Sequence, residues 1–240
     1  MNNFFAGVGK IPFKMFGPIH IALIVILLIL IVLIYIYRNR LKKFKHNKAL
    51  RYILAAILLL NMIIYYLGMY FTKTLSVVNN SPLHLCFLAN FALIYILLTD
   101  DKKLYKIIYY IIFIGPLPAI IWTNLDYAFD TYVFYQFIIC HHVMLLINIY
   151  LLFVMDYKVN FKDIFKAFGV VVIYLIIISI INNLIGANYM MLKELPKEIL
   201  VMYPFLKKVN PIIPLIGAGV IALAVSYIPV YIINRKKLGE

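Results

Sequence analysis

The chain has 240 residues, of which 65% are hydrophobic and only 13% charged, with a mean hydropathy of +0.98 and a formal net charge of +14. A soluble domain carries about 25% charged residues to cover its surface, so this composition excludes a water-soluble fold and fits a chain whose outer side chains face lipid. The positive charge sits at the edges of apolar runs, with no recognition element or aromatic stacking platform beside it, which argues against nucleic acid as a partner.

Residues 1–18 lack the basic start, short apolar core and small-residue cleavage site of a signal peptide, so the apolar run after them reads as a retained helix. Seven apolar stretches follow in chain order: 18–37, 49–70, 82–99, 104–122, 132–155, 164–182 and 211–233. Each has roughly the 17–25 residues that a helix needs to cross ~30 Å of hydrocarbon. Runs such as IALIVILLILIVLIYIY do not alternate every second residue, so barrel strands are excluded. The expected fold is all-α, a polytopic bundle of seven transmembrane helices forming one domain over 1–240. The longest connection, 183–210, mixes Leu, Ile, Met and Tyr with Lys and Glu and reads as a short interfacial segment.

The loops differ in charge. Those after the first, third and fifth stretches, with the tail NRKKLGE, hold sixteen Lys and Arg, against seven on the other side. The positive-inside bias then places the N-terminus outside and the C-terminus in the cytoplasm. The richest run, from Arg38 to Arg51, reads as a stop-transfer flank, with anionic headgroups as its natural neighbours.

Polar side chains are costly in a bilayer and usually face the bundle interior. Here they gather in the outer half: His20; Asn80, Ser81, His84, Cys86 and Asn90; Trp122, Thr123 and Asn124; Gln136, Cys140, His141 and His142; Asn182, Asn183, Asn188 and Tyr189. On regular helices Cys86 and Asn90 share a face, His84 points away from Cys86, and His141 shares a face with Asn148 while His142 lies about 100° round from it. That angle prevents His141 and His142 from holding one metal ion together, so no metal site is expected. Cys86 and Cys140 lie inside apolar runs and do not form a disulfide framework. Pro116 and Pro118 should kink or end the fourth helix and make room beside the cluster. No cofactor is expected, since GxGxxG, Walker and HExxH patterns are absent.

The segments SPLHLCFLANF (81–91), QFIICHHVMLL (136–146) and INNLIGANYMML (181–192), with MFGPIH (15–20) before the first helix, carry a resemblance. The chain resembles the YwaF-like bacterial membrane proteins, which are similar in turn to a eukaryotic transmembrane acyltransferase that makes ether phospholipids. The resemblance implies a multi-pass protein of the bacterial cytoplasmic membrane that acts on membrane phospholipids. It implies Cys86 as the nucleophile and His141 as its partner, with His142 and His84 as alternates. Where the family has Ser-His-Gly this chain has Cys140, His141 and His142, so the choice of histidine stays open. Asn90, Asn182, Asn188 and Tyr189 are the candidates for binding substrate or an oxyanion. The implied activity is a lipid acyltransferase or acyl hydrolase; the alternatives are a membrane binder or transporter of a small molecule or lipid, and a structural partner protein whose polar cluster is interhelical glue.

Overall fold

Pro18 opens the first long helix, where its missing N–H costs nothing. The computed structural model describes residues 2–237; the last three residues of the basic tail lie outside the described residues. The helices that build the bundle are α1 (Pro18–Lys42), α2 (Asn47–Phe71), α3 (Leu85–Thr99), α4 (Lys102–Ile114), α5 (Pro116–Ile121), α6 (Tyr132–Ile138), α7 (Met144–Phe153), α8 (Asp163–Ile185) and α9 (Ile212–Lys237). A π-helical turn, Ile139–Val143, joins α6 to α7. Among the described residues six helical units are long and apolar enough to cross a membrane, Lys102–Ile121 and Tyr132–Phe153 included; α3 is a shorter apolar helix, at 15 residues. At 1.5 Å per residue α3 covers about 22 Å, less than the ~30 Å of a hydrocarbon core.

Burial sorts the helices into two layers. The unit Tyr132–Phe153 is the most enclosed, with 72% of its apolar window buried, whereas the windows of α1, α8 and α9 are 11%, 17% and 17% buried. The centre is therefore α3, α4 and the α6–α7 unit, and the outer helices present Ile, Leu, Val and Phe to lipid. On α2 the buried residues Arg51, Ala55, Leu58 and Met62 recur every three or four positions, and that stripe packs on α3.

Three fully buried tyrosines of α4 knit the centre together. The Tyr105 hydroxyl donates to the Asn148 carbonyl at 2.8 Å, Tyr109 to that of Ser226 at 2.7 Å and Tyr110 to that of Asn160 at 2.9 Å. A phenol satisfies its one polar group in this way and still fills apolar volume. Asp101 caps α4 by accepting from the N–H groups of Lys103 and Leu104. Gly115 then breaks the helix and Pro116 starts α5, as the two prolines predict. A side chain at Gly115 would press within 3.2–3.4 Å of Leu85, so this glycine lets the break pack against the start of α3.

The N-terminal segment folds onto the loop before α6. Phe13 N–H donates to the Asp126 carbonyl, and Ala128 N–H to that of Ile11. The Asp130 carboxylate accepts from the N–H groups of Lys10 and Ile11. Those two bonds hold its carboxyl below the usual aspartate range, the Lys10 N–H acting most strongly. A depressed folded pKa means that the fastening is present above the unfolded carboxyl's range and is lost as pH falls through the folded value, below about pH 4. Asp130→Asn is expected to reproduce that loss at neutral pH, read as faster tryptic cleavage after Lys10 and Lys14. Unchanged cleavage would mean that the backbone bonds suffice.

Candidate functional site

Residues 81–84 and the first turn of α3 are tied to the chain that follows α8. Gly186, with φ of +71°, ends α8 in the left-handed conformation that glycine adopts freely. The Asn182 amide then pairs with the Tyr189 backbone in both directions, donating to its carbonyl at 2.9 Å and accepting its N–H at 2.8 Å. Tyr189, thus placed, accepts from Ser81 N–H and donates to the Val77 carbonyl. Asn188 is engaged within its own loop, accepting from Lys193 N–H and donating to the Glu194 carbonyl. The Asn182 amide and the Tyr189 hydroxyl therefore position the chain that leads into α3, whereas Asn188 braces its own loop.

Cys86 is the second residue of α3. Leu85 N–H is met by the Met190 sulfur at 3.0 Å, and the N–H groups of Cys86 and Phe87 lie against the Cys86 sulfur. The thiol is half-buried and packed against the central core. His84 sits just before the helix; its Nδ1 accepts from Met190 N–H at 3.4 Å and its ring meets the Tyr189 ring edge-on. Asn90 lies one turn below Cys86, wholly buried, and neither atom of its amide has a partner.

The π-helical turn carries Cys140, His141 and His142 and packs against both α3 and α5. Its i→i+5 bonding inserts a residue into the helix and re-aims the side chains beyond it, so the shared face expected for His141 and Asn148 on a regular helix does not carry over. His141 is buried, stacked on Phe137 with ring centres 4.1 Å apart. Its Nδ1 is 2.7 Å from the Phe137 carbonyl, which accepts only, so Nδ1 bears the hydrogen and Nε2 is left with its lone pair. No partner of that Nε2 is found among the described residues. His142 differs, with both ring nitrogens buried and unpartnered. His141 lies within electrostatic reach of His84 and His142. No hydrogen bond joins Cys86 to any histidine among the described residues.

His20 is occupied elsewhere. Phe16 N–H donates to its Nδ1 at 2.9 Å, which puts the ring hydrogen on Nε2, 2.8 Å from the Ile120 carbonyl, and so pins the end of α5 to α1. Sequence reasoning missed the environment of Cys140, whose sulfur accepts from Gln136 Nε2 at 3.2 Å and from Asn61 Nδ2 at 3.6 Å, with Tyr132 donating to Asn61. The signal was Asn61, an isolated amide deep in an apolar helix.

Six spanning-length helices around an enclosed polar centre define a multi-pass integral membrane protein. Residues 15–233 match the TMEM164 family, and the chain belongs to that family. No match was found among curated proteins or among solved structures.

Proposed function

We propose that the protein is a lipid acyltransferase or acyl hydrolase that works through Cys86 and His141. The observation that carries this reading is the packing of the π-helical turn against the start of α3, which puts a base with a bare Nε2 on the element next to the thiol. In the first step Sγ attacks the ester carbonyl of a phospholipid while Nε2 takes the thiol proton. The C–O bond breaks, and that proton leaves on the lysolipid oxygen. A second lipid hydroxyl then gives its proton to the imidazole and displaces sulfur, restoring the thiol; water in its place gives hydrolysis. The unpartnered Asn90 amide is the donor on offer to the oxyanion. The absence of a Cys–His hydrogen bond does not count against the pair, because such bonds often tighten only around substrate.

The loop charges support an N-terminus outside, a C-terminus in the cytoplasm and α3 as a seventh, shorter span, with the site in the outer leaflet. Right-side-out vesicles whose outer leaflet alone holds phospholipid with a labelled acyl chain test all of this. Wild-type protein is expected to acquire a hydroxylamine-sensitive label that Cys86→Ala lacks and Cys140→Ala keeps. Equal labelling of wild type and Cys86→Ala would end the covalent reading, and labelling from the inner leaflet alone would reverse the orientation.

A second reading, a binder or carrier of a small polar molecule or lipid, draws on the orphaned polar atoms of Asn90 and His142, which call for a guest with hydrogen-bonding groups. Tight lipid retention with no label on Cys86 would favour it.

A further inference from the structure

At the basic end of the bundle, away from Cys86, α2 and the corner between α3 and α4 enclose a cleft of about 360 Å³. We propose that this cleft binds the phosphate of an anionic phospholipid, with the lipid's chains lying on α3. The inference does not depend on the acyl-transfer reading.

Two cations one turn apart on α2, Lys48 and Arg51, line the cleft. The Arg51 side chain is only 8% exposed, and a guanidinium offers five N–H donors in a planar fork. Its Nη1 makes both of its bonds, to the Asp100 carboxylate and to the Tyr157 hydroxyl. Nε is buried and has no partner among the described residues. A buried arginine that lines a cleft and holds an unused donor is suited to an oxyanion, and phosphate is an anion that the guanidinium fork matches well.

Asp100 also lines the cleft, but its charge is already spent. One oxygen accepts from Arg51 and Tyr157, and the other lies 3.9 Å from Lys102 Nζ. Lys48 has no acidic partner among the described residues; its ammonium rests 5.9 Å from the Tyr52 ring centre. The cleft therefore has a positive surplus.

The remaining wall identifies the anion as lipid-borne. Tyr52, Leu98 and Met155 complete the lining. Leu98 continues an exposed apolar stripe on α3 through Tyr95 and Phe91, spaced three and four residues apart. A free phosphate has no use for that stripe, whereas an acyl chain attached to the phosphate covers it.

The test uses the full chain in phosphatidylcholine vesicles with and without phosphatidylglycerol, with inorganic phosphate as the soluble arm. Lipid retained after extraction is read by native mass spectrometry. Wild-type protein is expected to retain phosphatidylglycerol in preference to phosphatidylcholine. Lys48→Gln should lower that retention about fivefold, the factor equivalent to ~1 kcal/mol for one basic residue beside a headgroup. Lys162→Gln removes an exposed charge near the same end but outside the cleft and should leave retention unchanged. Equal effects of the two substitutions would reduce the cleft to a share of the general surface potential and overturn the site. Competition by inorganic phosphate as effective as that by the lipid would overturn the lipid assignment.

Discussion

His141→Gln is expected to slow formation of the Cys86 thioester by about 10²- to 10⁴-fold, the usual contribution of a positioned general base. Glutamine keeps a donor for the Phe137 carbonyl, so the π-helical turn retains its side-chain tie while Nε2 and its lone pair disappear. The assignment to His141 rather than His142 rests on orientation. In His141 one nitrogen is held by a backbone carbonyl, which fixes the tautomer and leaves the other nitrogen bare, the arrangement that orients an imidazole base. His142 has no such anchor, since both of its nitrogens are buried without partners. Single-turnover rates with labelled phospholipid decide the matter: His142→Gln should stay within a few-fold of wild type. If His142→Gln is the slow variant and His141→Gln the fast one, the base is the other histidine and the tautomer argument fails.

The apolar runs made most of the fold legible, because a run long enough to span has few alternatives to a helix in lipid. The expected stretches differ from the helices by only a few residues at most ends. Legibility fails where backbone geometry departs from regularity. The expected third stretch, 82–99, loses its first turn, because Ser81 to His84 are held by Tyr189 and Met190 instead of by helical bonds. The π-helical turn leaves no trace in the apolar pattern, so the directions of His141 and His142 had no basis beyond a regular helix.

The polar residues were legible as a group but not as pairs. Asn182, Asn188 and Tyr189 stand out in an apolar chain, yet the Asn182 amide and the Tyr189 backbone find each other through a turn that Gly186 opens. Arg51 illustrates the opposite failure. In the sequence it closes a run of flanking charges; in the fold it is 6% exposed, drawn inside by Asp100 from the far end of α3. Pairings 49 residues apart carry no local signature.

That pairing sets the largest stability effect expected outside the core. Asp100→Asn should destabilise the protein by about 2–3 kcal/mol, less than the 3–5 kcal/mol for breaking a fully buried ion pair because the Asp100 side chain is 43% exposed. The loss arises on the arginine side: with the carboxylate gone, a guanidinium whose side chain is 8% exposed is left without its counter-charge. The substitution isolates that effect, since Asp100 has φ of +63° and asparagine tolerates this left-handed conformation as well as aspartate does. The Tyr157 hydroxyl, which donates to Asp100 and accepts from Arg51, loses its place in the same step, so the α3–α4 corner and the loop after α7 should loosen together. Arg51→Met, which removes the buried charge and keeps an apolar stem, should cost less than Asp100→Asn, because the carboxylate left behind can be solvated and still faces Lys102 at 3.9 Å. Thermal unfolding of both variants in one detergent measures the order, and a greater loss in Arg51→Met would show that the carboxylate, not the guanidinium, bears the burial cost.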